Sequence, residues 1–359
     1  MDTETRGSRF RCQLAVALAA AVAVANPAAI AAQTLSPQRQ EFKQMMAASM
    51  KAPAGRQRVT LGPMKDGRTI IGRFQYIENH KGVGVLKRRD GSFCVNFDRR
   101  TAALAGLAVD ASIHCQQLGR CDRLSDYVKS LIEARTSVAD LALFEEFEPS
   151  VGPALSRWTR TPDYARAWIA GFGSFAVATQ LHEIGHVALG HESAAEGAAG
   201  EAQEAEADGF SKYVTELAGV SGAAGSAILL DSIVAARQVV TTTGRRDRQA
   251  PPSDERGLPT PSGFRVCRVE AVVLGLQAWF DRYHPGYGNR SRLPTRATAA
   301  PLGSDFDFTR GLTAIVGGTP SCEAYATAFR SGVDKAMALV DVQTRLNSEN
   351  DVGKTCKDE

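Results

Sequence analysis

The sequence predicts an α+β fold, a mainly α-helical core preceded by a small antiparallel β-module. Three observations lead there. Between residues 56 and 97, short runs rich in β-branched and aromatic residues alternate with Gly-containing turns. From about residue 122 onward, apolar residues recur three and four apart, the period of a helix with one buried face. The composition, 44% hydrophobic and 23% charged over 359 residues, is that of a globular chain long enough for about two domains.

Residues 1–32 read as an export signal. Arg6, Arg9 and Arg11 give it a positive start, Leu14 to Ala25 an uncharged apolar run, and Ala29-Ile30-Ala31 the small residues of a cleavage site. The alternative is an uncleaved anchor, against which Asn26 and Pro27 interrupt the run. Beyond this segment no integral membrane span is expected, because the apolar stretch 223–240 carries Asp231 and Arg237. The expected location is periplasmic or secreted. Of seven cysteines, Cys12 lies in the signal. The remaining six (Cys94, Cys115, Cys121, Cys267, Cys322 and Cys356) suggest disulfides, with the connectivity open. Cys115 and Cys121 are close enough to close a small loop.

Residues 33–55 read as a polar linker or short helix. In the β-module, residues 56–117, the strand candidates are Arg58–Leu61, Thr69–Ile77, Val83–Leu86 and Ser92–Phe97. The turns between them are Lys65–Gly67, Glu78–Gly82 and Arg89–Gly91. The module could be a structural cap or a unit that recognises a partner. Residues 118–359 form the helical domain. Leu124, Val128, Leu131 and Ile132 fit one helix face. Further helices are expected at 163–170, 174–191, 200–219, 223–242, 264–283 and 321–347, with loops at 243–263 and 284–310. Lys and Arg number 42 and Asp and Glu 39, a net charge of +3, and aromatics are 7%. No nucleic-acid partner is expected from such a balance.

The segment that carries chemistry is Gln180-Leu-His182-Glu183-Ile-Gly-His186-Val-Ala-Leu-Gly-His191. It holds H-E-x-x-H in an apolar, helix-compatible run. Residues four apart stack on one helix face, so His182 and His186 can offer two imidazoles to one cation. Glu183 is turned about 100° from His182 and can accept a proton from water at that cation. The bland reading is two histidines on a buried helix. It is weakened by Glu201-Ala-Gln-Glu204-Ala-Glu206-Ala-Asp208, on a second helix, where Glu204 and Asp208 share a face. Glu204 is assigned as third ligand, with Glu201 its rival. Asp208 is assigned to orient a histidine, His182 first. Glu206 points away from Glu204. His191 falls on the opposite side of a continuous helix from His182 and is read as helix C-terminal chemistry. Downstream, Tyr283-His284-Pro285-Gly-Tyr287-Gly-Asn-Arg290 puts His284 in a Pro/Gly-rich loop that could reach over the metal. Arg290 could order that loop or bind substrate. His80 and His114 receive no function.

These elements, H-E-I-G-H, then E-x-x-x-D, then H-P-x-x-x-x-R, resemble the M48 family of gluzincin zinc metallopeptidases over roughly residues 120–300. The resemblance implies a zincin-like helical core around one Zn2+ per chain. It implies His182, His186 and Glu204 as ligands and Glu183 as general base. It further implies His284 as a transition-state stabiliser with Arg290 near it, and a protein or peptide substrate. Regulatory peptidases of the ImmA/IrrE-like group share H-E-x-x-H with a later Glu, and the export signal argues against them. A non-catalytic zinc-binding envelope protein, using the β-module for a partner, is the alternative of another class.

Overall fold

In a computed structural model, the described residues are 35, 37–51, 56–77, 84–87, 92–118, 123, 126–127, 130–131, 140–191, 197–218, 267, 283–286 and 322–350. The signal segment, the helix expected at 223–242, most of that expected at 264–283, the loop 243–263, Arg290 and the turns at 78–82 and 89–91 lie outside them. The order of elements is α1 (Pro37–Lys51), β1 (Arg56–Gly62), β2 (Ile70–Ile77), β3 (Gly84–Lys87), β4 (Phe93–Asp98), α2 (Arg99–Leu118), α3 (Phe144–Phe147), α4 (Gly152–Trp158), α5 (Pro162–Leu189), α6 (Gly197–Leu217), α7 (Glu323–Leu339) and β5 (Arg345–Asn350). The fold is mainly helical α+β. No described helix is long and apolar enough to cross a membrane.

Helix α5 organises the molecule. Its start is fixed by Thr161, whose hydroxyl accepts from the Tyr164 amide at 3.3 Å, and by Pro162 in the first turn, where no amide partner is needed. Its end is fixed by Gly190, at φ 71°. Over 28 residues it runs about 42 Å and passes through two cores. Its N-terminal part, through Ala178, packs Tyr164, Trp168 and Ala178 with α1, α2 and Phe144. Its second half packs Leu181, Ile184 and Ala188 against the sheet, α6 and α7. The expected helices 163–170 and 174–191 are thus one.

The sheet has five strands in the order β3-β4-β2-β1-β5. Alternation sets its buried face, with Val59 and Leu61 of β1 turned to the helices. The Lys65–Gly67 turn is present, with Gly67 at φ 81° and its amide on Met64 O at 2.9 Å. The sheet is mixed rather than antiparallel, because β2 and β4 pair in parallel. Strand β3 runs opposite to both β2 and β4. However, β4 inserts between β2 and β3, so strands two apart in sequence become neighbours. The edge beside β1 is taken by β5, in a segment the sequence reads as the end of a helix. Within residues 56–117, everything after Asp98 is helix α2, which buries Leu104, Leu107, Ala108 and Ala111 at helical spacing.

Helices α6 and α7 touch backbone to backbone. A Cβ at Gly209 would fall 2.1 Å from Phe329 O, and one at Gly332 would fall 2.0 Å from Glu206 O. Only glycine permits this approach from both sides. A disulfide joins Cys267 to Cys322, the residue before α7.

Candidate metal centre

Three donors converge where the last turns of α5 face α6. His182 Nε2 lies 3.0 Å from Glu204 Oε2 and 3.1 Å from His186 Nε2, and His186 Nε2 lies 3.3 Å from Glu204 Oε1. Donors about 2.0–2.1 Å from one tetrahedral ion stand about 3.3 Å apart, so the three fit a single small cation. Glu201 is not in this group. Glu204 is the outermost member, with 43% of its side chain exposed against 8% for His182, so the centre opens to solvent on that side.

The electrostatics favour positive charge. Burial alone would lower the His182 pKa. The hydrogen bond and charge of Asp208, then those of Glu204, outweigh it and hold His182 well above its usual range. Burial would raise Glu204, but His182 and then His186 hold it well below the usual carboxylate range. A site that stabilises a proton between these groups also stabilises a metal cation there.

Asp208 is fully buried and accepts on both oxygens. His182 Nδ1 lies 2.9 Å from Oδ1, and the Tyr325 hydroxyl donates to Oδ2 at 2.9 Å. Asp208 therefore keeps a proton on His182 Nδ1, so that once Nε2 gives up its own proton to a metal, its lone pair faces the centre. Glu183 is buried, one residue beyond His182 on α5.

His191 is not among the converging donors. Its Nδ1 lies 2.9 Å from His186 Nδ1, and its Nε2 lies 3.0 Å from Glu206 Oε2. The left-handed turn at Gly190 folds His191 back over the helix end, which a continuous helix would not do. Glu206, turned away from the centre, also accepts from Ser331 at 2.7 Å and from Lys335 at 2.7 Å on each oxygen. Burial would raise Glu206, but His191, Lys335 and Ser331 hold it down to about 2. Tyr325, Ser331 and Lys335 carry no sequence signal, since only the α6–α7 packing brings them here. His284 lies against α7, with Nδ1 3.3 Å from Arg330 Nη1.

A second cluster, Asp110, His114 and Glu145, is buried under α1. Its cation is a side chain. Arg39 donates through Nη1 to Asp110 Oδ1 at 2.9 Å and through Nη2 to Glu145 Oε2 at 3.0 Å, with further bonds to both carboxylates. Tyr164 donates to Asp110 and stacks on the His114 ring, with centroids 5.5 Å apart.

Comparison of the chain with family models, curated proteins and solved structures finds no match.

Proposed function

We propose that this chain is an exported zinc-dependent metalloendopeptidase that hydrolyses peptide bonds of protein or peptide substrates. The observation that carries the reading is the convergence of His182, His186 and Glu204 at donor spacings of 3.0 to 3.3 Å, with Glu183 next to the first of them. Two imidazoles and one carboxylate are a donor set of catalytic zinc, which when bound polarises the scissile carbonyl and makes water acidic enough to deprotonate near neutral pH. Among the described residues the centre has three protein donors, with His191 directed to His186 Nδ1. Three donors are the number typical of catalytic zinc, whereas structural sites take four.

The chain's own groups supply the rest. The Glu183 carboxylate takes a proton from the attacking water as oxygen bonds to the carbonyl carbon. It then passes that proton to the amine nitrogen as the C–N bond breaks. His284 is assigned to the developing oxyanion. Burial, with the Arg330 guanidinium beside it, holds its pKa below the usual range, although a hydrogen bond to the Ala326 backbone opposes the shift. A well-placed donor of this kind contributes about 3–4 kcal/mol. Arg290 is assigned to ordering the His284 loop or to substrate.

The test is Glu183→Gln in the purified mature chain, with metal content and casein cleavage measured together. Zinc should remain stoichiometric while cleavage falls by about two orders of magnitude or more. Undiminished cleavage, or a wild-type chain that holds no zinc, would overturn the reading.

A further inference from the structure

We propose that His191 and Glu206 are positioning residues for His186, setting the tautomer in which its Nε2 lone pair faces the metal centre. The inference deepens the reading of the centre as a metal site and rests on that reading.

The argument is a count of protons along a hydrogen-bond chain. Glu206 lies within hydrogen-bonding distance of Ser331, Lys335 and His191. An ionised carboxylate only accepts, so the proton facing it from His191 is on Nε2. With Nε2 committed to Glu206, His191 presents Nδ1 as the acceptor, and that atom lies 2.9 Å from His186 Nδ1. His186 must then donate from Nδ1, which leaves its Nε2 as a lone pair 3.1 Å from His182 Nε2 and 3.3 Å from Glu204 Oε1.

Without this chain, His186 would have a competing choice. A proton on Nε2 would bond Glu204 or His182 directly, and that tautomer cannot bind a metal. The His191–Glu206 chain favours the other tautomer. It also fixes the ring plane, because Glu206 is anchored to α7 at the glycine contact, where Gly332 lies against the Glu206 backbone. Asp208 does the same for His182 with one fewer member, and it too ends on α7, at Tyr325. Each histidine donor is therefore oriented by a carboxylate of α6 that a side chain of α7 holds.

The experiment compares full-length mature wild type with His191→Leu, His191→Asn and Glu206→Gln. Zinc affinity is read by competition with a chromogenic chelator. The tautomer of His186 is read in the metal-free chain by 15N NMR, and the thermal midpoint serves as a check on folding. The wild type should show His186 protonated on Nδ1. His191→Leu should lower zinc affinity about 10- to 100-fold and move the His186 proton toward Nε2. His191→Asn places an acceptor oxygen near the lost Nδ1 and should recover most of the affinity. Glu206→Gln should fall between the two. Unchanged affinity and tautomer in His191→Leu would overturn the proposal, as would a wild-type His186 protonated on Nε2. That wild-type measurement decides the matter even if the Leu variant does not fold. A wild-type chain that binds no zinc but has His186 protonated on Nδ1 would instead sink the metallopeptidase reading and leave the hydrogen-bond chain standing.

Discussion

The Gly332 Cα sits directly against the Glu206 main chain. A Cβ there would lie 2.0 Å from the Glu206 carbonyl oxygen and 2.7 Å from its carbonyl carbon. Neither neighbour is a flexible side-chain tip, so relief requires the two helices to separate. Gly332→Ala is expected to cost about 3 kcal/mol or more, at the upper end of overpacking effects. It should also weaken metal binding, because Glu206 and Asp208 stand on the displaced helix. Thermal denaturation with and without zinc checks both, and an unchanged midpoint would show that the contact is not as tight as described.

Asp208 links the buried Tyr325 hydroxyl to His182 at the centre. Asp208→Asn keeps the shape, removes the charge and puts an amide where one acceptor stood. Metal affinity should drop about 10- to 100-fold. Tyr325→Phe deprives the same carboxylate of one donor and should destabilise by about 1–3 kcal/mol. Chelator competition on the first variant and urea unfolding of the second are the measurements.

Arg39 is 1% exposed and bridges two buried carboxylates. Arg39→Met leaves both without their cation and should cost about 3–5 kcal/mol at neutral pH. The pH dependence carries a sign. In the wild type, burial would raise Asp110, but Arg39 and then His114 hold it below the usual range. Its contribution is therefore present above the unfolded value near 4 and is lost as pH falls through the lower folded value. In the variant, the burial of Asp110 is opposed by His114 without Arg39, and its carboxylate pKa rises above that of the unfolded chain. Stability is then greatest in acid and declines as pH rises. The gap between the two proteins should shrink from pH 7 to pH 4 in urea titrations. A constant gap would mean that the loss is one of packing alone.

Legibility in the sequence follows the range of the interaction. Spacings of four are fixed by helix geometry, so the pairs His182/His186 and Glu204/Asp208 could be placed on their faces without any fold. The 65–67 turn was equally local. Helix α2 carried a usable signal in Leu104, Leu107, Ala108 and Ala111, within a span that the strand pattern before it had claimed. The parallel β2–β4 pair had none, because turns fix reversals of direction and not which strands become neighbours. Strand β5 reads Arg-Leu-Asn-Ser-Glu-Asn, with Leu346 its only apolar residue. It is a strand because β1 offers an open side. His191 fails the helical wheel for a definite reason, since the wheel stops at Gly190, one residue before it.

The β1–β5 ladder joins segments from opposite ends of the chain, Gly62 to Arg345 and Gln57 to Asn350. On the ribosome, β1 emerges long before this neighbour and must wait with one row of amides and carbonyls unmatched. Closing so large a loop is slow. A polypeptide cut before residue 345 would never close it and would leave the row as a template for another molecule's strand. Loss of residues 345–359 should therefore show first as self-association, before any change in the chemistry of the histidines.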